Sequence, residues 1–413
     1  MFAPVDPVLA DIGRDLFFDP VLSGNKDVSC ATCHHPTLGS GDGVSLGLGT
    51  GAAGLGADRA VTGPHAAEER IPRNAPALWN LGAGGVRVLF HDGRVEHDPA
   101  RPGALLTPQG PLDYMALESV LAAQALFPVL SHAEMAGRPG ENEIATAVAE
   151  DRIHGDTGAW GLLAARVDAL EGYRARFADW RGRTAPVRMG EIGNAIAAFI
   201  SHEFRANDTA FDRYLREEAA LSPEAGEGMR LFFGKARCGE CHSGPLLSDQ
   251  SFHAMGEPPI GPGKERDEDG YTRDIGRAAV TLDRGDAYAF RTPMLRNVVH
   301  NGPWGHAGAF SDLRDFVIHH MDPVAGLDRY SPQAVLPQLA SAAPDYSALS
   351  NRMQVGAVKD AAARTMKRYA MPALSEGELD MLMAFLDALG DPASLNGRMG
   401  APDSLPSGLQ PDR

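Results

Sequence analysis

The chain has 413 residues, with 54 acidic and 38 basic side chains that give a formal net charge of -16 at pH 7. This charge argues against nucleic acid and anionic lipid as partners, because both are themselves negatively charged. The length allows two or three domains, and no apolar stretch reaches the ~18 residues that a membrane-spanning helix needs.

The first motif along the chain is Cys30-Ala31-Thr32-Cys33-His34, a Cys-x-x-Cys-His motif typical of haem c attachment. Its two thiols form thioethers to the haem, and its histidine supplies an axial nitrogen to iron. A zinc half-site would need further Cys or His ligands nearby, and a redox dithiol has no use for the histidine. The second copy, Cys238-Gly239-Glu240-Cys241-His242, uses the remaining cysteines. The sequence therefore predicts two covalently bound haem c groups.

Haem c is attached outside the cytoplasm, so both motifs predict a periplasmic protein. The chain opens Met1-Phe2-Ala3-Pro4-Val5, without the charged and apolar regions of a signal peptide. We expect that the signal peptide has been removed and that Met1 was added.

Several phrases occur twice in the same order. Gly-x-x-Leu-Phe-Phe precedes each haem motif, at 13–18 and at 228–233. Asn-Ala-Pro-Ala-Leu-Trp-Asn at 74–80, followed by His91-Asp92-Gly93, is matched by Arg-Thr-Pro-Met-Leu-Arg-Asn at 291–297, followed by His306-Ala307-Gly308. Repetition over so long a period predicts an internal duplication with one haem in each half.

Helical patterns dominate between these landmarks, and no sustained alternation indicates a sheet. Ser222, Pro223 and Glu224 predict a helix start before the second motif, and glycine-rich stretches at 39–56 and 258–263 predict loops that could wrap or gate a haem edge. The sequence predicts a mainly α fold of two cytochrome c-like domains at 1–185 and 186–390, with a C-terminal arm at 391–413. Further helices are predicted near 116–127, 141–150, 160–173, 191–204 and 376–389.

A five-coordinate haem can bind peroxide, so the distal side of each haem decides its chemistry. In the first half, His65 lies in a predicted loop and could either bind iron or face solvent. If His65 stays away, the first haem is open to peroxide. A carboxylate over the iron could then accept and return a proton, and Glu134 is the candidate, with a solvated glutamate as the alternative.

In the second half, a helix is predicted from Ser311 and Asp312. His320 falls on its apolar stripe with Leu313, Phe316 and Val317, whereas His319 shares a face with Asp312 and Asp315. His320 is therefore predicted to point inward, either as a hydrogen-bonded core residue or as the distal ligand of the second haem. Met321 and Met255 are the competing sulfur ligands.

Taken together, these motifs resemble those of the bacterial dihaem cytochrome c peroxidase and MauG superfamily, from about Gly13 to about Leu389. The resemblance implies two mostly helical cytochrome c domains, a peroxide-reactive first haem held by His34 and a second haem held by His242. It rests on ordered landmarks: the lead into the first motif at 16–24, Arg73-Asn74-Ala75-Pro76, Phe90-His91-Asp92-Gly93-Arg94, Ala133-Glu134-Met135, Phe252-His253-Ala254-Met255-Gly256 and the phrase at 292–297.

The resemblance also implies roles for single residues. Glu134 matches the distal carboxylate, and Pro128 matches the distal-pocket proline of MauG-like members. His320 occupies the position that is methionine in the peroxidases and tyrosine in MauG, which agrees with the helical pattern. A calcium ion between the haems is implied by residues at the family's metal-lining positions: Asn74, Asn301 (a threonine in most members) and Pro303.

One position departs from the family. Members typically place a tryptophan between the haems, whereas this chain has His91 there. Electron transfer between the haems must then use His91, Trp79, Trp304 or the haem edges, and both tryptophans could equally be ordinary core residues.

An imidazole ligand lowers the potential of the second haem relative to methionine. The resemblance then favours an enzyme in which hydrogen peroxide gives a high-valent bis-haem state that oxidises a residue of a partner protein. The methanobactin-cassette type, with a copper-binding partner whose tryptophan is oxidised, is the most similar, and Trp160 or Trp180 is a candidate surface relay. The alternatives are a cytochrome c peroxidase fed by a small cytochrome or cupredoxin, and a non-enzymatic electron-transfer protein.

Overall fold

The computed structural model describes residues 2–266, 272–339 and 352–412, and it confirms the predicted mainly helical fold. The α-helices of this part of the chain are α1 (Pro7–Phe18), α2 (Cys30–Cys33), α3 (Val120–Gln124), α4 (Glu143–Ala149), α5 (Ala159–Asp168), α6 (Glu171–Arg181), α7 (Met189–Glu203), α8 (Ala210–Leu215), α9 (Pro223–Phe233), α10 (Ala278–Thr281), α11 (Leu313–Met321), α12 (Pro323–Arg329), α13 (Arg352–Tyr369), α14 (Glu376–Asp387) and α15 (Pro392–Leu395).

The strands of the described residues are two or three residues long and form four small antiparallel sheets. They pair as β1 with β2, β3 with β4 and β5, β6 with β9, and β7 with β8. Their bounds are β1 (Ala52–Ala53), β2 (Ala60–Val61), β3 (Val88–Leu89), β4 (Val95–His97), β5 (Leu105–Leu106), β6 (Phe252–His253), β7 (Glu265–Arg266), β8 (Thr272–Arg273) and β9 (Phe290–Arg291).

Each half is built on a pair of helices that cross at a glycine. In α1, a Cβ on Gly13 would lie 1.8 Å from the carbonyl oxygen of Ala195 in α7. In α9, a Cβ on Gly228 would lie 1.8 Å from the carbonyl oxygen of Met381 in α14. The repeated Gly-x-x-Leu-Phe-Phe phrase therefore supplies the same close crossing twice, as a duplicated domain predicts, although the duplication itself stays a prediction.

The domain boundary predicted at 185/186 stays a prediction. Helix α7 begins after it, yet α7 packs on α1, and Val187, Ile192, Phe199 and Phe204 all belong to the same buried cluster as Phe17. A second cluster, around Phe232 and Phe385, lies between α9 and α14. The apolar face of α7, which follows the predicted boundary, thus completes the buried cluster of the first half.

The C-terminal arm follows α14 but returns to the first half. Leu405 is buried in the first cluster, and Glu203 at the end of α7 accepts hydrogen bonds from the backbone amides of Arg398 and Met399, at 2.9 and 2.7 Å. The Asp412 carboxylate accepts hydrogen bonds from Ser29 and from Thr32 within the first haem motif. The arm therefore fastens the end of the chain to the first half.

Most predicted helices are present, with two differences. The region predicted at 160–173 is split into α5 and α6 near Leu170, and the region predicted at 116–127 contains only the short α3. The starts of α9 and α11 agree with the sequence, because Ser222 and Asp312 cap them by accepting hydrogen bonds from the amides of Ala225 and Asp315. Among the described residues, no helix has both the length and the hydropathy to cross a bilayer.

Candidate functional site

The first half encloses a cavity with about 1220 Å³ of empty space, part of which opens to solvent. The whole first haem motif faces this cavity through Cys30, Cys33 and His34. Glu134 and Pro128, the two distal residues that the resemblance implies, line the same cavity. Its remaining walls include Phe17, Val28, Leu78, Phe90, Leu121, Ile196 and Ile200, so it is largely apolar.

The three predicted iron-binding histidines share one arrangement. In each ring Nδ1 lies 3.1 Å from a backbone carbonyl oxygen: Ser40 for His34, Leu247 for His242 and Phe316 for His320. A carbonyl only accepts hydrogen bonds, so Nδ1 carries the proton and Nε2 keeps its lone pair for iron. Burial lowers the pKa of all three rings, which also favours the neutral form that binds a metal.

The cysteines do not have the properties of a redox dithiol. Burial raises the pKa of Cys30, Cys33 and Cys238 to about 12, far from the low values of reactive thiols. In the described part of the chain, the one group of potential metal ligands joins Cys241 with Asp249 and His253. A thioether at Cys241 removes its sulfur from that group, so the motif, cavity and histidine geometry together fit haem c.

Glu134 is held over the cavity by its backbone. It lies in a π-helical turn (His132–Ala136), where the Ser131 hydroxyl accepts a hydrogen bond from its amide at 3.3 Å. The glycine-rich loop packs directly on this turn, since a Cβ on Gly49 would lie 2.3 Å from the Glu134 carbonyl oxygen. Burial raises the pKa of the Glu134 carboxyl, although nearby cations oppose the shift. A carboxyl so placed can hold a proton closer to neutrality than a solvated glutamate.

Three cations line the cavity: Arg73, Arg94 and Lys264. All three pair with Asp92, at 2.6, 3.0 and 2.9 Å, and Arg73 also forms a two-bond pair with Asp274 at 2.6 and 2.7 Å. Among the described residues of this cluster, three cations thus share two carboxylates. Arginine and lysine side chains in this position can also pair with the propionates of a haem, which is a further point of fit.

His65 lies away from the cavity. Its side chain is 43% exposed, Nδ1 lies 3.3 Å from the Glu141 carboxylate, and the ring is absent from the cavity lining. The structure therefore favours the second of the two alternatives left open by the sequence. The cavity that His34 lines then offers Glu134 and Pro128.

His91 lines the first cavity, and its backbone contacts the second half of the molecule. Nε2 lies 3.1 Å from the Asn74 carbonyl oxygen, and the His91 carbonyl accepts a hydrogen bond from the Arg291 amide at 2.8 Å. Burial, together with the nearby charge of Arg73, lowers the pKa of His91 to about 4, so its ring is neutral near pH 7. Of the residues suggested for transfer between haems, His91 is the one in the cavity wall; Trp79 and Trp304 donate instead to the carbonyls of Gly39 and Val298.

In the second half, burial and the charge of His242 lower the pKa of His320, and the His320 ring packs edge-to-face with Phe316 at 4.4 Å between ring centroids. The predicted inward direction of His320 agrees with this placement, while its role as ligand stays a prediction. Met321 lies instead in a separate recess with Met366 and Met371.

His319, predicted to share a face with Asp312 and Asp315, is nevertheless buried. His319 is 3% exposed, its Nε2 donates to the Gly256 carbonyl at 2.8 Å, and its ring packs against Phe310. Helix α12 covers this side, where Gly326 leaves room for the ring: a Cβ there would lie 2.4 Å from Nδ1. The pattern of α11 alone could not reveal a partner that arrives from the next helix.

The predicted calcium residues come from both halves. The Asn74 amide donates to the Pro303 carbonyl at 2.6 Å, and the Asn74 backbone amide donates to the His306 carbonyl at 2.8 Å. Asn301 precedes Pro303 by two positions in the same segment. Sequence reasoning missed the neighbouring Glu257, whose carboxylate lies 2.7 Å from Nδ1 of His306; this contact outweighs the effect of burial and lowers the pKa of Glu257 to about 2.

The predicted relay residues differ in position. Trp160 is 1% exposed, so the prediction that it lies at the surface is wrong: its Nε1 donates to the Leu126 carbonyl at 2.8 Å, in the wall behind the first cavity. Trp180 is half-buried, and its Nε1 donates to Asp6 at 2.9 Å.

Known proteins give a consistent comparison. The methylamine utilization protein MauG of Methylorubrum extorquens is 29% identical over 77% of this chain and 70% of its own length. The cytochrome c551 peroxidase of Pseudomonas aeruginosa is 28% identical over 76% and 72%. The crystal structure of a MauG-like protein associated with microbial copper homeostasis is 25% identical, with a TM-score of 0.58 over 95% of this chain and 92% of that one.

The crystal structure of the diheme peroxidase BthA from Burkholderia thailandensis has a TM-score of 0.57 at 22% identity, over 96% of this chain and 88% of that one, and so shows the shared fold. The model of the family described as di-haem cytochrome c peroxidase matches residues 7–220, just over half of the chain. With two haem motifs and the geometry above, the chain belongs to the di-haem cytochrome c peroxidase family, which includes MauG, and is a haem oxidoreductase of the peroxidase type.

Proposed function

We propose that the protein uses hydrogen peroxide to oxidise a residue, a tryptophan in the favoured form, on a partner protein. The observation that carries this proposal is the difference between the two halves. The cavity lined by His34 also offers a carboxyl group, Glu134, while His65 is turned away, whereas in the second half the charge of His242 acts on the buried His320. One side is thus left for peroxide and the other is closed by imidazole.

When bound, the haems supply the cleavage of the O–O bond and the storage of two oxidising equivalents. The chain's part is proton management. Glu134 takes the proton from the near oxygen of peroxide and gives a proton to the leaving oxygen, for which its raised pKa suits it. Pro128 shapes the apolar wall beside Glu134 without adding a competing donor.

The cationic wall of Arg73, Arg94 and Lys264 would pair with the carboxylates of the first haem. His320 and His242 would hold the iron of the second haem. His91 lies on the route between the halves, where its neutral ring replaces the family's tryptophan. We further propose a calcium ion held by Asn74, Asn301 and the Pro303 carbonyl, between the two haems.

The nature of the partner follows from similarity. One structural relative is described as a MauG-like protein associated with microbial copper homeostasis, and this supports a copper-binding protein as the substrate. The net charge of -16 favours a partner with a neutral or basic docking face. Both proteins would meet in the periplasm, where haem c is attached.

A stopped-flow experiment tests the proposal. The as-isolated diferric protein is mixed with peroxide, and the haem spectrum is followed over time. The measurement is made with and without the candidate partner, a co-expressed protein encoded by a neighbouring gene. We expect a long-lived spectral change without prior reduction, which decays faster when the partner is added, and a partner that gains oxygen by mass spectrometry. A partner of unchanged mass, with rapid peroxide turnover only after one haem is reduced, would contradict the proposal.

That contrary result would support the second candidate, a cytochrome c peroxidase that reduces peroxide with electrons from a small cytochrome or cupredoxin. Similarity to the cytochrome c551 peroxidase of Pseudomonas aeruginosa favours it. Non-enzymatic electron transfer would require that peroxide fails to react in every redox state.

A further inference from the structure

A continuous series of aromatic contacts leads from the first cavity to the protein surface. Phe90 lines the cavity, and its ring centroid lies 6.2 Å from that of Phe127. Phe127 lies 6.0 Å from Trp160, and Trp160 lies 5.3 Å from His154. The series ends at Tyr114, whose hydroxyl lies 2.7 Å from Nδ1 of His154.

The exposure of these side chains changes sharply along the series. Trp160 is 1% exposed, whereas Tyr114 is 63% exposed and His154 is also exposed. Tyrosine and tryptophan are the side chains that lose an electron most readily. Electron tunnelling weakens steeply with distance, so two shorter steps, through Trp160 and then Tyr114, are faster than one long jump to the surface.

We propose that oxidising equivalents leave the first haem through Trp160 and reach the surface at Tyr114, with His154 as the proton acceptor. The inference rests on the proposed function, since peroxide supplies the oxidant. Tyr114 would be the site at which the partner, or another electron donor with an oxidisable aromatic ring, is oxidised.

The hydrogen bonds of each ring fit its step. Nε1 of Trp160 donates to the Leu126 carbonyl, which cannot take a proton, so an indole that loses one electron stays a strongly oxidising cation. An electron from Tyr114 then restores the neutral indole. The Tyr114 O–H bond breaks at the same time, and its proton moves to Nδ1 of His154, so that a neutral phenoxyl radical and an imidazolium remain. A substrate that returns one electron, together with the proton from His154, regenerates the phenol, and two such steps use both equivalents of one peroxide.

The segment that carries Tyr114 is fixed to the core. A Cβ on Gly190 in α7 would lie 2.0 Å from the Met115 carbonyl oxygen, so the two backbones are in direct contact. The Asn194 amide donates to the Ala116 carbonyl at 3.0 Å and its oxygen accepts from the Glu118 amide at 3.0 Å. The exposed phenol therefore stands on a rigid base, which keeps the 2.7 Å contact with His154.

The alternative exit, Trp180, is less well connected. Among the described residues its ring contact is with Phe177, at 6.4 Å, and no aromatic contact continues from Phe177 towards the cavity. Tyr214 provides a matched control, since it is 39% exposed but lies on α8, away from this series.

The test is freeze-quench electron paramagnetic resonance of the haem-loaded protein after peroxide, with ring-deuterated tyrosine to identify the radical. We expect a tyrosyl signal in the wild type and in Tyr214→Phe, and its loss in Tyr114→Phe. Trp160→Phe, which keeps a buried ring, should lose the signal too, while His154→Gln should slow its appearance by about tenfold or more. In all of these variants, the spectral change of the first haem on mixing with peroxide should be the same as in the wild type.

The spectra separate this inference from the function on which it rests. In Tyr114→Phe the haem should still respond to peroxide. If the tyrosyl signal and the oxidation of the partner are also unchanged in this variant, the inference is overturned and the proposed function still stands. A wild-type protein whose haems do not respond to peroxide would contradict both. Spin trapping followed by peptide mass spectrometry gives a second readout, with the adduct expected on the peptide that contains Tyr114.

Discussion

Gly13 lies against Ala195 so closely that a methyl group on residue 13 would be 1.8 Å from the Ala195 carbonyl oxygen. The contact joins α1 to α7 directly before the chain reaches the first haem motif. Gly228 and Met381 repeat it between α9 and α14 at the same distance. The crossing of these helices therefore depends on the absence of a side chain.

We predict that Gly13→Ala and Gly228→Ala each lower the free energy of unfolding of the haem-loaded protein. The new methyl group meets backbone atoms, which cannot move aside as a flexible side chain can, so the cost should reach about 1–3 kcal/mol or more. Denaturant titration of the purified protein measures it, and the yield of haem-loaded protein should fall as well.

Gly226→Ala is the matched control, because it lies on the same helix as Gly228 and a Cβ there meets nothing within 4 Å. It should stabilise the protein by about 0.5–1 kcal/mol, since alanine favours a helix interior over glycine. Equal effects of the three substitutions would show that helix propensity, and not the crossing, explains the glycines.

Arg73 and Asp274 form a buried ion pair between segments 201 residues apart in sequence, with exposures of 8% and 7%. Asp274→Asn removes one partner, but Arg73 keeps Asp92. We therefore expect a loss of about 3 kcal/mol in the free energy of unfolding, at the lower end of what broken buried pairs cost. The control is Asp380→Asn, which breaks an exposed pair with Arg314 and should change the free energy of unfolding little. Chemical denaturation at pH 7 compares the two variants with the wild type.

The same pair predicts acid sensitivity. Burial opposes ionisation, but the charge of Arg73 outweighs it and lowers the pKa of Asp274 below its ordinary value. A carboxyl whose folded pKa lies below the unfolded value, about 3.9, stabilises the fold above that pH and loses this contribution as the pH falls. Stability should therefore decline below about pH 4 in the wild type and less steeply in Asp274→Asn. If the stability of the wild type and of Asp274→Asn falls in parallel as the pH is lowered, Asp274 is excluded as a cause of the acid sensitivity.

The sequence predicted features that depend on local spacing and missed those that depend on distant contacts. The two haem motifs and the inward direction of His320 follow from neighbours a few positions away. The pairing of Arg73 with Asp274 left no trace in either segment. The burial of His319 was not foreseen because Gly256 and Gly326 reach it from other parts of the chain. The packing of α7 on α1 was not foreseen either, because an apolar helical face does not show which core it joins.

A substitution at His320 tests the distal ligand of the second haem. His320→Ala removes the only nitrogen that the ring offers to iron, Nε2, since Nδ1 is bonded to the Phe316 carbonyl. We predict that the second haem changes from low-spin to high-spin, as followed by absorption and electron paramagnetic resonance. His319→Gln is the control, because His319 is the buried neighbour that bonds Gly256, and it should leave the second haem low-spin. An unchanged spectrum of His320→Ala would rule His320 out.

Glu134→Gln tests the proton-transfer role in the first cavity. The amide keeps the size of the side chain but cannot take a proton, so the rate at which peroxide changes the haem spectrum should fall by about 10²–10⁴-fold. Burial raises the pKa of Glu134, so the wild-type rate should rise with pH at pH values above the ordinary pKa of a glutamate side chain. The variant should show no such rise. Stopped-flow measurements from pH 4 to 8 give both results. Glu150 is an exposed glutamate paired with Arg152, and Glu150→Gln should behave as the wild type. If the pH–rate profile of Glu134→Gln has the same shape and height as that of the wild type, Glu134 has no part in the mechanism.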